Sequence, residues 1–167
     1  MHAAYESTVD PSLLERTLVV CIGNDLVGDD TAGCEVFNAL SREVLPQNVS
    51  ILLLGVGGIE ILEHLSGKYK TLVVVDAVRF GSKPGTLHRS TLATLPATHH
   101  GAVSVHGLGI RELIEAGTIL YPEYMPENIM CIGIEGENFN DCGVPLSASV
   151  RAAIDQAVDL IRDTAGL

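Results

Sequence analysis

Four short apolar runs punctuate this chain: TLVVCI at 17–22, VSILLL at 49–54, TLVVV at 71–75 and NIMCIGI at 128–134. They are continuous rather than alternating, the pattern of strands buried on both faces of a parallel sheet. Between them the spacing turns helical. Residues 30–45 place Ala32, Val36, Phe37, Leu40 and Val44 on one face. Ile59, Leu62 and Leu65 mark a short helix, and 107–117 brings Leu108, Leu113 and Ile114 together. The closing segment 145–165 opens on Pro145 near its first turn and points Val150, Ile154, Val158 and Ile161 inward. Residues 85–90 alternate behind Pro84 and read as an edge strand, and 91–105 are irregular. Strands alternating with helices predict the α/β class: a three-layer sandwich with a mostly parallel five-stranded sheet and helices on both faces.

Composition narrows the function classes. With 21 acidic and 10 basic side chains among 167 residues, the net charge is −11. Such a chain lacks the clustered Lys and Arg of a general phosphate-binding surface, so no nucleic-acid partner is expected. At 47% hydrophobic residues it is too apolar for disorder. One core suffices for this length, so 17–167 is expected to form a single domain behind an N-terminal extension, 1–16. That extension carries Glu6, Asp10 and Glu15 and has no apolar stretch of signal-peptide type. No apolar run is long enough to cross a bilayer, so no membrane insertion is expected. The cysteines, Cys21, Cys34, Cys131 and Cys142, form no C-x-x-C pair. Cys21 and Cys131 lie in strand runs and read as buried hydrophobes, while Cys142 lies in a loop as an unreactive thiol. A reducing, cytoplasmic setting fits these features.

In an open α/β sheet, ligands sit beyond the carboxyl ends of the strands. Three turns there carry chemistry: Gly23 through Asp30, Gly55-Val56-Gly57-Gly58, and Asp76-Ala77. The first has two glycines bracketing four residues, as in a phosphate loop. Asp29 and Asp30 stand where that motif needs Lys and Ser or Thr, and three carboxylates repel phosphate. The loop therefore suits a cation or a positively polarised group. One of the two adjacent acids is accounted for by helix capping, worth about 0.5–2 kcal/mol. Asp76 closes a run of valines, where a carboxylate is costly to bury unless it is paired or bound to a metal; a cap or turn is the rival explanation. His106 lies just ahead of a helix and offers a nitrogen ligand. His99 and His100 read as a solvated loop, and His2, His64 and His88 have no constellation around them. Two carboxylates and one imidazole from three turns make an O,O,N set with open positions, suited to nickel, zinc, manganese or iron. H-E-x-x-H, G-x-S-x-G and the Asp-Thr/Ser-Gly pattern of pepsin-like dyads are absent.

The run Gly23-Asn24-x-x-x-Gly28-Asp29-Asp30-x-x-Gly33 resembles the opening motif of the nickel–iron hydrogenase maturation endopeptidases. Gly57-Gly58, Asp76-Ala77, Ser104-Val105-His106-Gly107-Leu108 and Cys131-Ile132-Gly133-Ile134-Glu135 follow in that family's order, so the resemblance covers roughly residues 17 to 162. It implies a twisted five-stranded sheet between helices with one antiparallel edge strand. It also implies a hydrolase that removes a short C-terminal peptide from the hydrogenase large-subunit precursor, its partner, once nickel is inserted. Nickel carried by the substrate is then the recognition element, and no organic cofactor is needed. By position, the family's metal-contacting and catalytic residues carry over to Asp30, Asp76 and His106. Asn24, Asp29, Gly57 and Gly58 are expected around the substrate, the glycines letting its backbone approach closely. Two other classes stand beside this one: a non-catalytic nickel- or zinc-binding maturation factor, and a small-molecule phosphorylase or hydrolase on a similar sheet.

Overall fold

The computed structural model describes residues 16–55, 60–65, 67–95 and 110–165. Five strands form one sheet: β1 (Thr17–Ile22), β2 (Val49–Leu54), β3 (Thr71–Val78), β4 (Leu87–Thr91) and β5 (Asn128–Glu135). Their order is β2-β1-β3-β5-β4. The first, second, third and fifth run parallel, and β4 closes one edge antiparallel to β5. The expected α/β sandwich with one antiparallel edge strand is the fold observed.

Strand alternation sorts the apolar residues into two cores. Val19, Cys21, Val73, Val75, Ile132 and Ile134 face α1 (Ala32–Leu40) and α4 (Ala148–Ala165), which contribute Val36, Leu40, Val150, Ile154, Val158 and Ile161. Leu18, Val20, Ile22, Leu72, Val74 and Cys131 face the other way, toward Ile61 of α2 (Ile61–His64) and Ile114 of α3 (Ile110–Leu120). Both faces of β1 and β3 are dry, which explains their unbroken apolar runs, whereas β2, expected to be buried on both faces, lies at the sheet edge with Leu53 38% exposed.

Element ends differ from expectation where local chemistry intervenes. A 3-10 turn, Gly28–Thr31, precedes α1, and α1 stops at Leu40 rather than residue 45. Ser41, Arg42 and Glu43 donate back to Phe37, Ala39 and Leu40, tightening the last turn, and Pro46 disfavours helix at Leu45. Val44, expected on the buried face, is fully exposed. The third strand does not close at Asp76 but continues to Val78. The edge strand begins at Leu87, because Gly85 has φ +85° and Thr86 N–H turns back to Lys83 O at 3.0 Å. In the closing helix Pro145 lies ahead of the first turn, and Ser147 Oγ accepts the Val150 N–H at 3.4 Å as a cap. Arg16, the last residue of the expected extension, packs beside the third strand: its carbonyl accepts the Lys70 N–H at 2.8 Å and its guanidinium lies 5.4 Å from the Tyr69 ring centroid. Ile59, Leu108 and residues 1–15 lie outside the described residues. Among the described residues no helix is long and apolar enough to cross a membrane.

Candidate active site

The loop leaving β1 is organised by Asn24. Its Oδ1 accepts the Leu26 N–H at 3.0 Å, its carbonyl accepts the Thr31 hydroxyl at 3.3 Å, and its N–H donates to Asp30 O at 3.1 Å. Gly28 is needed at the far side of the loop. Its φ is +30°, and a Cβ there would stand 2.5 Å from Asn138 O.

Asp29 is fully buried, and its carboxylate caps neither its own turn nor α1. It reaches instead to the loop after β5 and to the start of α4. Oδ2 accepts the N–H groups of Glu137 at 2.9 Å and Asn138 at 3.0 Å, and Oδ1 accepts that of Ser147 at 2.7 Å. Burial alone would raise its pKa, but the N–H groups of Glu137, Ser147 and Asn138 and the Ser147 hydroxyl outweigh that and hold the carboxyl below its ordinary 3.8. Asp29 thus positions the loop rather than presenting an open carboxylate.

Asp30 and Asp76 arrive at the same end of the sheet from neighbouring strands. Asp30, 1% exposed, sits in the turn after β1; Asp76, 8% exposed, is near the end of β3, opposite Gly133 of β5. Alternation turns Asp76 toward the face that carries α2 and α3. Neither carboxylate is without a partner. Each also leaves a mark on a buried thiol. Burial, then Asp25, then Asp30 push Cys34 up to about 11. Burial and then Asp76 push Cys131 up to about 12. His106, Gly57 and Gly58 lie outside the described residues, and among the described residues no group of three His, Cys, Asp or Glu is placed to hold a metal.

The structure adds a pair that the sequence reading passed over. Glu135, 1% exposed at the end of β5, accepts the Phe80 N–H at 2.9 and 3.1 Å and the Gly81 N–H at 2.8 Å. It also pairs with His88 Nε2 at 2.9 Å. His88, expected to stand alone, is therefore part of a constellation, with the Phe80 ring edge-on at 5.0 Å. A signal was present. Glu135 follows an apolar strand run as Asp76 does, and the argument from the cost of burying a carboxylate applies equally to it.

Comparison with known proteins decides the family. The family model described as hydrogenase maturation protease matches residues 34–164. The hydrogenase expression/formation protein HupD of Rhizobium leguminosarum bv. viciae is 32% identical over 158 residues, 91% of this chain and 77% of that protein. The chain belongs to the hydrogenase maturation protease family. The solved structure of the hydrogenase maturating endopeptidase HybD from E. coli superposes with a TM-score of 0.75 at 25% identity, covering 89% of this chain and 91% of that one. HybD from Thermococcus kodakarensis, a NiFe hydrogenase maturation protease, gives 0.72 at 25% identity, covering 90% and 99%. Membership of this protease family displaces the phosphorylase reading.

Proposed function

We propose that this protease is the endopeptidase that removes the C-terminal peptide of a nickel–iron hydrogenase large-subunit precursor after nickel insertion. The observation that carries the reading is the delivery of two buried carboxylates, Asp30 and Asp76, to one end of the sheet by adjacent strands. Together with His106 they form the O,O,N set that engages nickel borne by the substrate, and they orient the scissile peptide beside it. In an aspartic-type mechanism one of the carboxylates takes a proton from the attacking water as general base. The main chain at Gly57 and Gly58 accepts the extended substrate, while Asn24 and Asp29 keep the Asp30 loop in register. No organic cofactor enters the scheme, and the reaction runs in the cytoplasm, where the precursor is assembled.

The test is to mix the protein with nickel-loaded and nickel-free precursor and to follow the C-terminal peptide by mass spectrometry. Release from the loaded form alone is expected. Equal cleavage of both forms removes nickel recognition. Stoichiometric metal binding without peptide release replaces the protease reading with that of a metal carrier.

A further inference from the structure

Two buried carboxylates other than Asp30 and Asp76 hold two loops that meet. Glu135 accepts the N–H groups of Phe80 and Gly81 and so fixes the segment that starts at Arg79. Asp29 accepts those of Glu137 and Asn138 and so fixes the segment that carries Phe139. Where the loops meet, the Arg79 guanidinium lies over the Phe139 ring, 4.8 Å from its centroid. Phe139 is 5% exposed, and a Cβ on Gly136 would stand 2.6 Å from its Cζ and 2.9 Å from Asp29 Cβ. The bare glycine leaves room for both the ring and the Asp29 side chain.

Arg79 itself is exposed, and among the described residues no carboxylate pairs with it. That is unusual in a chain with 21 acidic residues and only 10 basic ones. A guanidinium stacked on a ring has already given up much of its rotamer freedom, while the exposure of the side chain leaves its N–H groups accessible to a ligand. Preorganisation of this kind lowers the entropic cost of binding an anion. Arg79 also follows Asp76 by three residues, about 10 Å of extended chain. Asp76 turns to the α2/α3 face while Phe139 belongs to the α1/α4 core, so a peptide meeting both crosses over the rim, a span of about three of its own residues.

We infer that Arg79, seated on Phe139, is a substrate-binding residue that takes a carboxylate of the precursor peptide within a few residues of the bond held at Asp76. The inference rests on the protease reading above. The anionic group is a carboxylate because its two oxygens match the fork. It belongs either to an acidic side chain of the peptide or to the chain end.

The experiment compares the unsubstituted protein with Arg79→Met, which keeps an apolar stem over the ring, and with Arg79→Lys, which keeps the charge but not the fork. Each is assayed on three precursors: native, one whose C-terminal peptide has its acids changed to amides, and one extended at its C-terminus by a short Gly-Ser tail. On native precursor Arg79→Met is expected to raise KM by about tenfold with kcat within about twofold, and Arg79→Lys to fall between. The penalty should vanish on whichever altered precursor lacks the carboxylate, which identifies its source. An unchanged KM for Arg79→Met overturns the assignment while leaving the protease reading intact. An equal penalty on all three precursors also overturns it, since that points to a support role only. Failure of the unsubstituted protein to cleave native precursor overturns the protease reading and the Arg79 assignment together.

Discussion

Asp29 Oδ1 accepts the Ser147 N–H at 2.7 Å, joining the loop after the first strand to the cap of the last helix across 118 positions. With the Glu137 and Asn138 N–H groups on Oδ2, this one carboxylate closes the carboxyl end of the sheet.

Removing it should be costly. Asp29→Ala leaves three main-chain donors without their acceptor, at about 1–3 kcal/mol for a buried group left unmade. We expect a loss of about 3 kcal/mol, or roughly 6–12 °C in Tm for a chain of this size. Asp29→Asn keeps one acceptor oxygen and should lose less. Urea denaturation with an unchanged m-value measures this, and a loss below about 0.5 kcal/mol for the alanine variant would show that the bonds contribute little.

The same carboxylate sets an acid limit. Its folded pKa is lowered, so its contribution is fully present above the unfolded value of 3.8 and is lost as pH falls through the folded value. The stability gap between the native protein and Asp29→Asn should therefore be constant near neutrality and narrow below pH 3.8. A gap independent of pH down to acid unfolding contradicts the assigned hydrogen bonding.

The thiols should divide sharply. Cys142 is exposed, whereas Cys21, Cys34 and Cys131 are buried. Burial pushes Cys21 up to about 12, with Cys34 adding to it. A thiol reagent should titrate one cysteine quickly in the folded protein and all four in denaturant. Because the folded pKa values lie above the unfolded 9.0, their stabilising contribution is complete below pH 9.0 and declines as pH rises toward about 12. Fast modification of two or more thiols at neutral pH contradicts the packing.

Glu135 and His88 should be unequal partners. Glu135→Ala leaves the Phe80 and Gly81 N–H groups and the imidazole without their acceptor, an expected loss of about 3 kcal/mol. His88→Ala leaves the main-chain bonds to Glu135 in place and should cost about 1 kcal/mol. A double-mutant cycle by chemical denaturation measures the coupling. Equal losses for the two single variants contradict the view that Glu135 is the hub.

Asp30→Asn and Asp76→Asn are expected to lower kcat/KM for precursor by roughly 10²–10⁴ while far-UV circular dichroism stays native. Near-native turnover in either variant removes that residue from the proposed chemistry.

The central strands were legible because a parallel strand dry on both faces has few polar positions to blur its limits, and β1 ends where its apolar run ends; β2 ends with its run as well, although it lies at the sheet edge with Leu53 exposed. Asp30 and Asp76 were legible because carboxylates bordering such runs stand out. Val44 misled because it continues a helical spacing past Leu40, where the helix ends in a tightened turn. Capping was the local explanation for one of the adjacent acids because the donors that Asp29 accepts come from residues 137–147, far along the chain. His88 was set aside because its partner lies 47 positions away and is brought close only by the β4–β5 register. Pairings of this kind belong to sheet order, which local periodicity does not encode.

The Asp29–Ser147 bond also orders events during synthesis. The loop bearing Asp30 leaves the ribosome early, yet one of the three donors that pin it arrives with Ser147 and the helix beyond. The carboxyl rim of the sheet is therefore fully bonded only once the start of the last helix is in place. The anchor of the first loop is thus supplied from far along the chain, and a chain interrupted before residue 137 lacks all three of the donors that Asp29 accepts.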